Sequence, residues 1–115
     1  MPDMDDKQAN AITKLALRAF NGECDSFVAS VDYRNVVAYE KRVKKIFEQI
    51  NRITARFGVE ISKTYKDLKI AELRIVHEYN ERKQKELEEQ RQIKEIMREE
   101  IKAQQELERA QREAE

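Results

Sequence analysis

The sequence predicts an all-α protein: a short helical bundle whose third helix extends as a long charged, coiled-coil-like helix. Three observations predict it. Apolar residues recur at spacings of three and four along most of the chain. Turn-forming residues are scarce, with two Gly and one Pro in 115 residues, and the Pro is at position 2. Charged residues make up 40% of the chain, far above the roughly 25% of an ordinary globular domain. The 23 Lys and Arg balance the 23 Asp and Glu, so the formal net charge is zero. This composition excludes a β-sandwich or barrel, a collagen-like chain and a Gly/Ser linker. No apolar run is long enough to span a bilayer and no signal peptide is visible, so a cytoplasmic setting is expected. A single cysteine, Cys24, excludes a disulfide framework within the chain.

The first helix is expected over about 7–31. Asp3, Asp5 and Asp6 precede or open it, where negative charge suits the helix dipole. Leu17, Phe20, Cys24, Phe27 and Val31 follow at spacings of three, four, three and four, and Ile12, Leu15, Ala16 and Ala19 widen the stripe. Asn21-Gly22 interrupts it on paper, yet the stripe continues in phase on both sides. The helix therefore runs through, at a cost of about 1 kcal/mol for Gly22, with a close helix approach expected there and a kink as the alternative.

Asp32-Tyr33-Arg34-Asn35 reads as a turn with Asn35 as the next N-cap. Val36, Tyr39, Val43, Ile46, Ile50, Ile53 and Phe57 fill seven of seven heptad core positions, placing the second helix at 36–57. Gly58 sits where a C-cap belongs, and Ser62 is the N-cap candidate for the third helix. From there on the chain lacks Gly and Pro. One heptad frame runs from Tyr65 to Ala114, with ten of its fifteen core positions apolar. The misses are Glu72, Arg82, Glu86, Glu89 and Glu100, three of them within 80–92. The expected division is a bundle core over 1–79 and a charged extension over 80–115. An unbroken helix from Lys63 to Glu115 would be roughly 80 Å long. Glu78/Arg82, Glu81/Lys85 and Glu108/Arg112 are i,i+4 pairs in the favourable order. No stop signal precedes Glu115, which predicts a further segment beyond it.

Chemistry-bearing groups are few. Cys24 lies on the apolar stripe and reads as a small buried hydrophobe. His77 has no companion at metal-ligand spacing. The carboxylates are mixed evenly with bases, and no Gly-rich loop cradles a phosphate. No cofactor is expected. The second helix carries Lys41, Arg42, Lys44, Lys45, Arg52 and Arg56 against Glu40 and Glu48, a local excess of four. Lys41, Arg42, Lys45, Arg52 and Arg56 are the candidate nucleic-acid contacts, acting on phosphates by counterion release.

The stretch Leu17-Arg-Ala-Phe-Asn-Gly-Glu-Cys-Asp25 resembles a bacterial and phage family of unknown-function domains. Members of that family commonly lie directly N-terminal to a GIY-YIG endonuclease domain of the phage T5 orf type. The likeness continues through 40–51, 68–74, 77–79 and 89–100 and so covers about 15–115. It implies a nuclease following the charged helix, a coiled-coil or membrane-anchoring segment preceding the domain, and a role in phage defence or a mobile element. It also implies that the full protein is tethered to the inner membrane. No GIY or YIG motif occurs in this chain, so no catalytic residue carries over.

Together these readings give a non-enzymatic interaction module. A homodimer through the third helix is expected, with Ile93, Ile96 and Leu107 as the oligomer contacts. Arg18, Asn21, Glu23 and Asp25 form a candidate recognition surface for a protein partner. The alternative reading is a DNA-binding module that uses the basic face of helix 36–57.

Overall fold

The computed structural model describes residues 5–115, so Asp3 and Pro2 lie outside the described residues. The fold is all-α: α1 (Asp6–Ser30), α2 (Val36–Thr54) and α3 (Lys63–Ala114), with one turn of 3-10 helix, Ala55–Phe57, closing α2. The chain divides into two compact units, Met1–Asn80 and Glu81–Glu115.

In the first unit α1 and α2 pack antiparallel. Phe27 stacks on Tyr39 with ring centroids 4.8 Å apart, and Phe20 meets Phe47 edge-on at 6.5 Å. The start of α3 runs parallel to α1, as the Asn21–Tyr65 and Asp25–Lys69 contacts require, and antiparallel to α2, as Asn51–Ile61 and Glu40–Arg74 require. The core is Ala16, Phe20 and Cys24 from α1, Val43 from α2, Ile61 from the loop and Ile70 from α3. Leu73 is also fully buried.

Each end has an identifiable cause. Asp5 caps α1 by accepting from the Gln8 amide at 2.7 Å. The helix then passes unbroken through Asn21-Gly22. A Cβ placed on Gly22 would meet nothing within 4 Å, so the close approach expected there is absent. Asn35 occupies the N-cap position of α2 without capping it. Its amide turns back instead, accepting from the Asp32 amide at 2.8 Å and donating to the Ser30 carbonyl at 3.1 Å. It satisfies an orphan carbonyl at the end of α1, and this is why it is not free to cap α2. Gly58 adopts the left-handed conformation, φ +70°, behind the 3-10 turn, where an L side chain would be strained. Ser62 accepts from the Tyr65 amide at 3.1 Å and caps α3 as expected.

Two parts of the heptad reading need correction. Ile53 and Phe57 are exposed, while Thr54 takes the last core position of α2 and donates to the Ile50 carbonyl at 3.1 Å. A straight α-helix drifts about 20° per heptad from a seven-residue frame, and the 3-10 turn shifts the phase further. On α3 the frame follows the wrong face of the bundle. Leu68, Ile75 and Tyr79 are 62%, 65% and 64% exposed, whereas Ile70 and Leu73 are buried with Val76 and His77 half-buried beside them.

Replacing Phe20 with Ala is expected to cost about 3–5 kcal/mol, enough to unfold a domain of this size. Thermal or denaturant melting followed by circular dichroism reads it. Gly22→Ala should instead stabilise by about 1 kcal/mol, since the helix is regular there and the added methyl meets nothing. A fall in melting temperature would show that Gly22 has a packing role.

Candidate functional site

The outer face of α2 follows from its amphipathic spacing. Val43 is buried with Ile46, Phe47 and Ile50 packed around it. At about 100° per residue, Lys41, Lys45 and Arg52 fall together on the opposite side. All three are exposed, and so is Arg56 in the turn that follows. None of the four forms an ion pair among the described residues. Arg42 leaves this face: its guanidinium lies 5.9 Å from the Phe27 and Tyr39 ring centres, a cation–π arrangement.

Glu40 is drawn away from the cations. Arg74 of α3 donates to both of its carboxylate oxygens, at 2.6 and 3.2 Å. That bidentate bond holds the Glu40 carboxyl below its ordinary value, against the opposing effect of burial. The α2 segment therefore presents six cations against one unengaged acid, Glu48, and an excess of four becomes five.

The LRAFNGECD stretch resolves into separate roles. Leu17, Phe20 and Cys24 face the core. The Asn21 side-chain oxygen accepts from the Tyr65 hydroxyl at 2.6 Å, and Asp25 pairs with Lys69 at 3.5 Å. Both bind α1 to α3. Arg18 and Glu23 are exposed, but they point about 140° apart around the helix. Arg18, Asn21 and Asp25, at i, i+3 and i+7, share one side of α1, where Asn21 and Asp25 are engaged by α3, and Glu23 lies apart from them.

Ile93, Ile96 and Leu107 of the second unit are 57%, 54% and 59% exposed, with Met97 and Ile101 exposed beside them. Cys24 is sealed in the core, and burial, opposed by the charge of Lys69, raises its thiol to about 11. It is not a thiolate at neutral pH. Among the described residues no group of three His, Cys, Asp or Glu is arranged to hold a metal, and no helix is long and apolar enough to cross a membrane.

Sequence reasoning missed Asn51, Lys69 and Arg74 among the residues that organise the bundle, and read Tyr65 as an apolar heptad position without its hydroxyl's role. Asn51 grips the loop by accepting from the Ile61 amide at 2.7 Å and donating to its carbonyl at 3.1 Å. Tyr65, Lys69 and Arg74 each bind α3 to a neighbour. An Asn among the core-facing positions of α2 was the one visible signal. The others are polar residues that any solvated helix carries.

The fold and its surfaces define an all-α domain with an exposed cationic face on α2 and exposed apolar residues along α3. The chain belongs to the SNIPE associated domain family, which it matches over residues 3–84. That domain is found with GIY-YIG nucleases. Comparison with curated proteins and with solved structures returned no match.

The Glu40–Arg74 pair makes stability pH-dependent. A depressed folded-state carboxyl contributes stability that is present above its unfolded value, ordinarily 4.5, and lost as pH falls through the folded value. In denaturant melts, wild type should exceed Glu40→Gln at neutral pH, and the two should converge as pH drops below about 4.5. A gap that persists unchanged in acid would exclude the pair as its source.

Proposed function

We propose that this chain is a non-enzymatic helical interaction and oligomerisation module of a GIY-YIG nuclease protein of the phage T5 orf type, acting in phage defence or a mobile element. The reading is carried by one observation. α3 bears exposed apolar residues that follow a single heptad frame, Leu68, Ile75 and Tyr79 in the first unit and Ile93, Ile96 and Leu107 in the second. In the first unit this line lies on the side of α3 away from the bundle core. Exposed apolar residues in heptad register are what a partner helix covers.

The partner is a second copy, and the charges favour an antiparallel pair. In a parallel pair in register, Glu72, Arg82, Glu86, Glu89 and Glu100 would each meet its own copy in the seam. Like charges directly apposed are unfavourable. Reversing one helix lets Arg82 meet a glutamate. Ile93, Ile96 and Leu107 supply the apolar contact.

Light scattering across a concentration series should give a dimer for the wild-type chain and a monomer for Ile93→Lys/Ile96→Lys, with the melting of the bundle unchanged. A wild-type chain that stays monomeric at high concentration would overturn the reading.

A further inference from the structure

We propose that the outer face of α2 binds the phosphate backbone of duplex DNA. Lys41, Lys45 and Arg52 share one side of the helix over three turns, about 17 Å, and Arg56 follows one turn on. All are exposed and none is engaged in an ion pair among the described residues. This is the unusual part, because the chain as a whole has equal numbers of acids and bases. The other acid of α2, Glu40, is held by Arg74, which leaves Glu48 alone among the cations. A neutral chain with a concentrated, unneutralised cationic stripe can release counterions from a polyanion.

The surroundings select the polyanion. A membrane-surface helix buries an apolar face in the lipid boundary, but the apolar face of α2 is spent on the core. Single exposed apolar residues, Val37, Ile53 and Phe57, flank the stripe. Binding of single strands relies on aromatic platforms on which successive bases stack, and here Phe47 is half-buried in the bundle while Phe57, after Arg56, is a single exposed ring. What remains is a straight row of cations suited to a regular phosphate backbone. Association of this domain family with nucleases favours DNA as the duplex.

The test is fluorescence anisotropy of a labelled duplex of about 20 base pairs, titrated with the full chain between about 50 and 200 mM salt. Four phosphate contacts predict a log–log salt slope of about −3.6, hence roughly a 100-fold loss of affinity over that range. Lys41→Glu/Arg52→Glu should abolish binding at the lower salt, with an unchanged melting curve as the folding control. Lys83→Glu/Lys85→Glu, the same charge change in the second unit, should retain duplex binding. The inference is overturned if both double variants lose affinity equally, if neither does, or if a single strand or anionic vesicles bind as tightly as the duplex. A chain that dimerises without binding DNA overturns this inference and leaves the oligomerisation reading standing.

Discussion

Phe20 is the contact on which the bundle depends. It is fully buried, meets Phe47 of α2 at 6.5 Å and Tyr65 of α3 at 5.9 Å, and so ties all three helices at one level. One turn of α1 positions the rest. Asn21, the next residue, receives the Tyr65 hydroxyl, which fixes the same tyrosine whose ring packs on Phe20. Cys24 and Asp25, one turn later, fill the core and reach Lys69. The family-like string LRAFNGECD is therefore mainly the edge of α1 that holds α3. Its polar members serve the same packing as its apolar ones.

Much of this was legible in the sequence, because α1 and α2 are amphipathic and their ends carry interpretable residues. Gly58 and Ser62 occupy the caps their chemistry suggests. The face of α3 was not legible, for a physical reason. Over 63–80 that helix has two apolar lines. Ile70, Leu73 and Val76 enter the bundle, while Leu68, Ile75 and Tyr79 remain outside. Periodicity ranks lines by hydrophobicity, and the outer line is the richer in large residues. Only the loop length and the Asn21–Tyr65 and Glu40–Arg74 contacts fix which line turns inward. Asn35 misled for a related reason: an asparagine between two helices can serve either one, and composition does not state the direction.

The charges obey the same division of labour. Acids and bases are equal in number, yet the structure distributes them unevenly by pairing some and leaving others. Glu40 is consumed by Arg74 and Asp25 by Lys69, both across helix contacts, whereas among the described residues the outer cations of α2 form no ion pair and share their side with one acid, Glu48. Net charge summed along a sequence hides this. The candidate nucleic-acid residues were read from a local excess on one segment, and the Glu40–Arg74 bond sharpens that excess. Of Arg18, Asn21, Glu23 and Asp25, the helix keeps the first, second and fourth on one side and turns Glu23 away, and contacts with α3 take up Asn21 and Asp25.

The second unit presents the opposite problem, a helix with little to hold it. Its ion pairs include Glu88–Arg91 at 4.0 Å and Arg109–Glu113 at 3.7 Å, both on exposed side chains. The anticipated Glu108–Arg112 pair is not formed. Exposed pairs contribute a few tenths of a kcal/mol each, and most helical stability in proteins comes from packing an apolar face. Absence of Gly and Pro lowers the cost of the helical state without supplying that packing. Ile93, Ile96 and Leu107 are exposed on this helix, and burial of such residues against another helix is what would stabilise it. Covering them would convert a marginal helix into a fixed one, and folding of this segment would become coupled to association. The charged run at 80–92 weakens that association locally and restricts which alignments are tolerated. An apolar line broken by charge trades affinity for register.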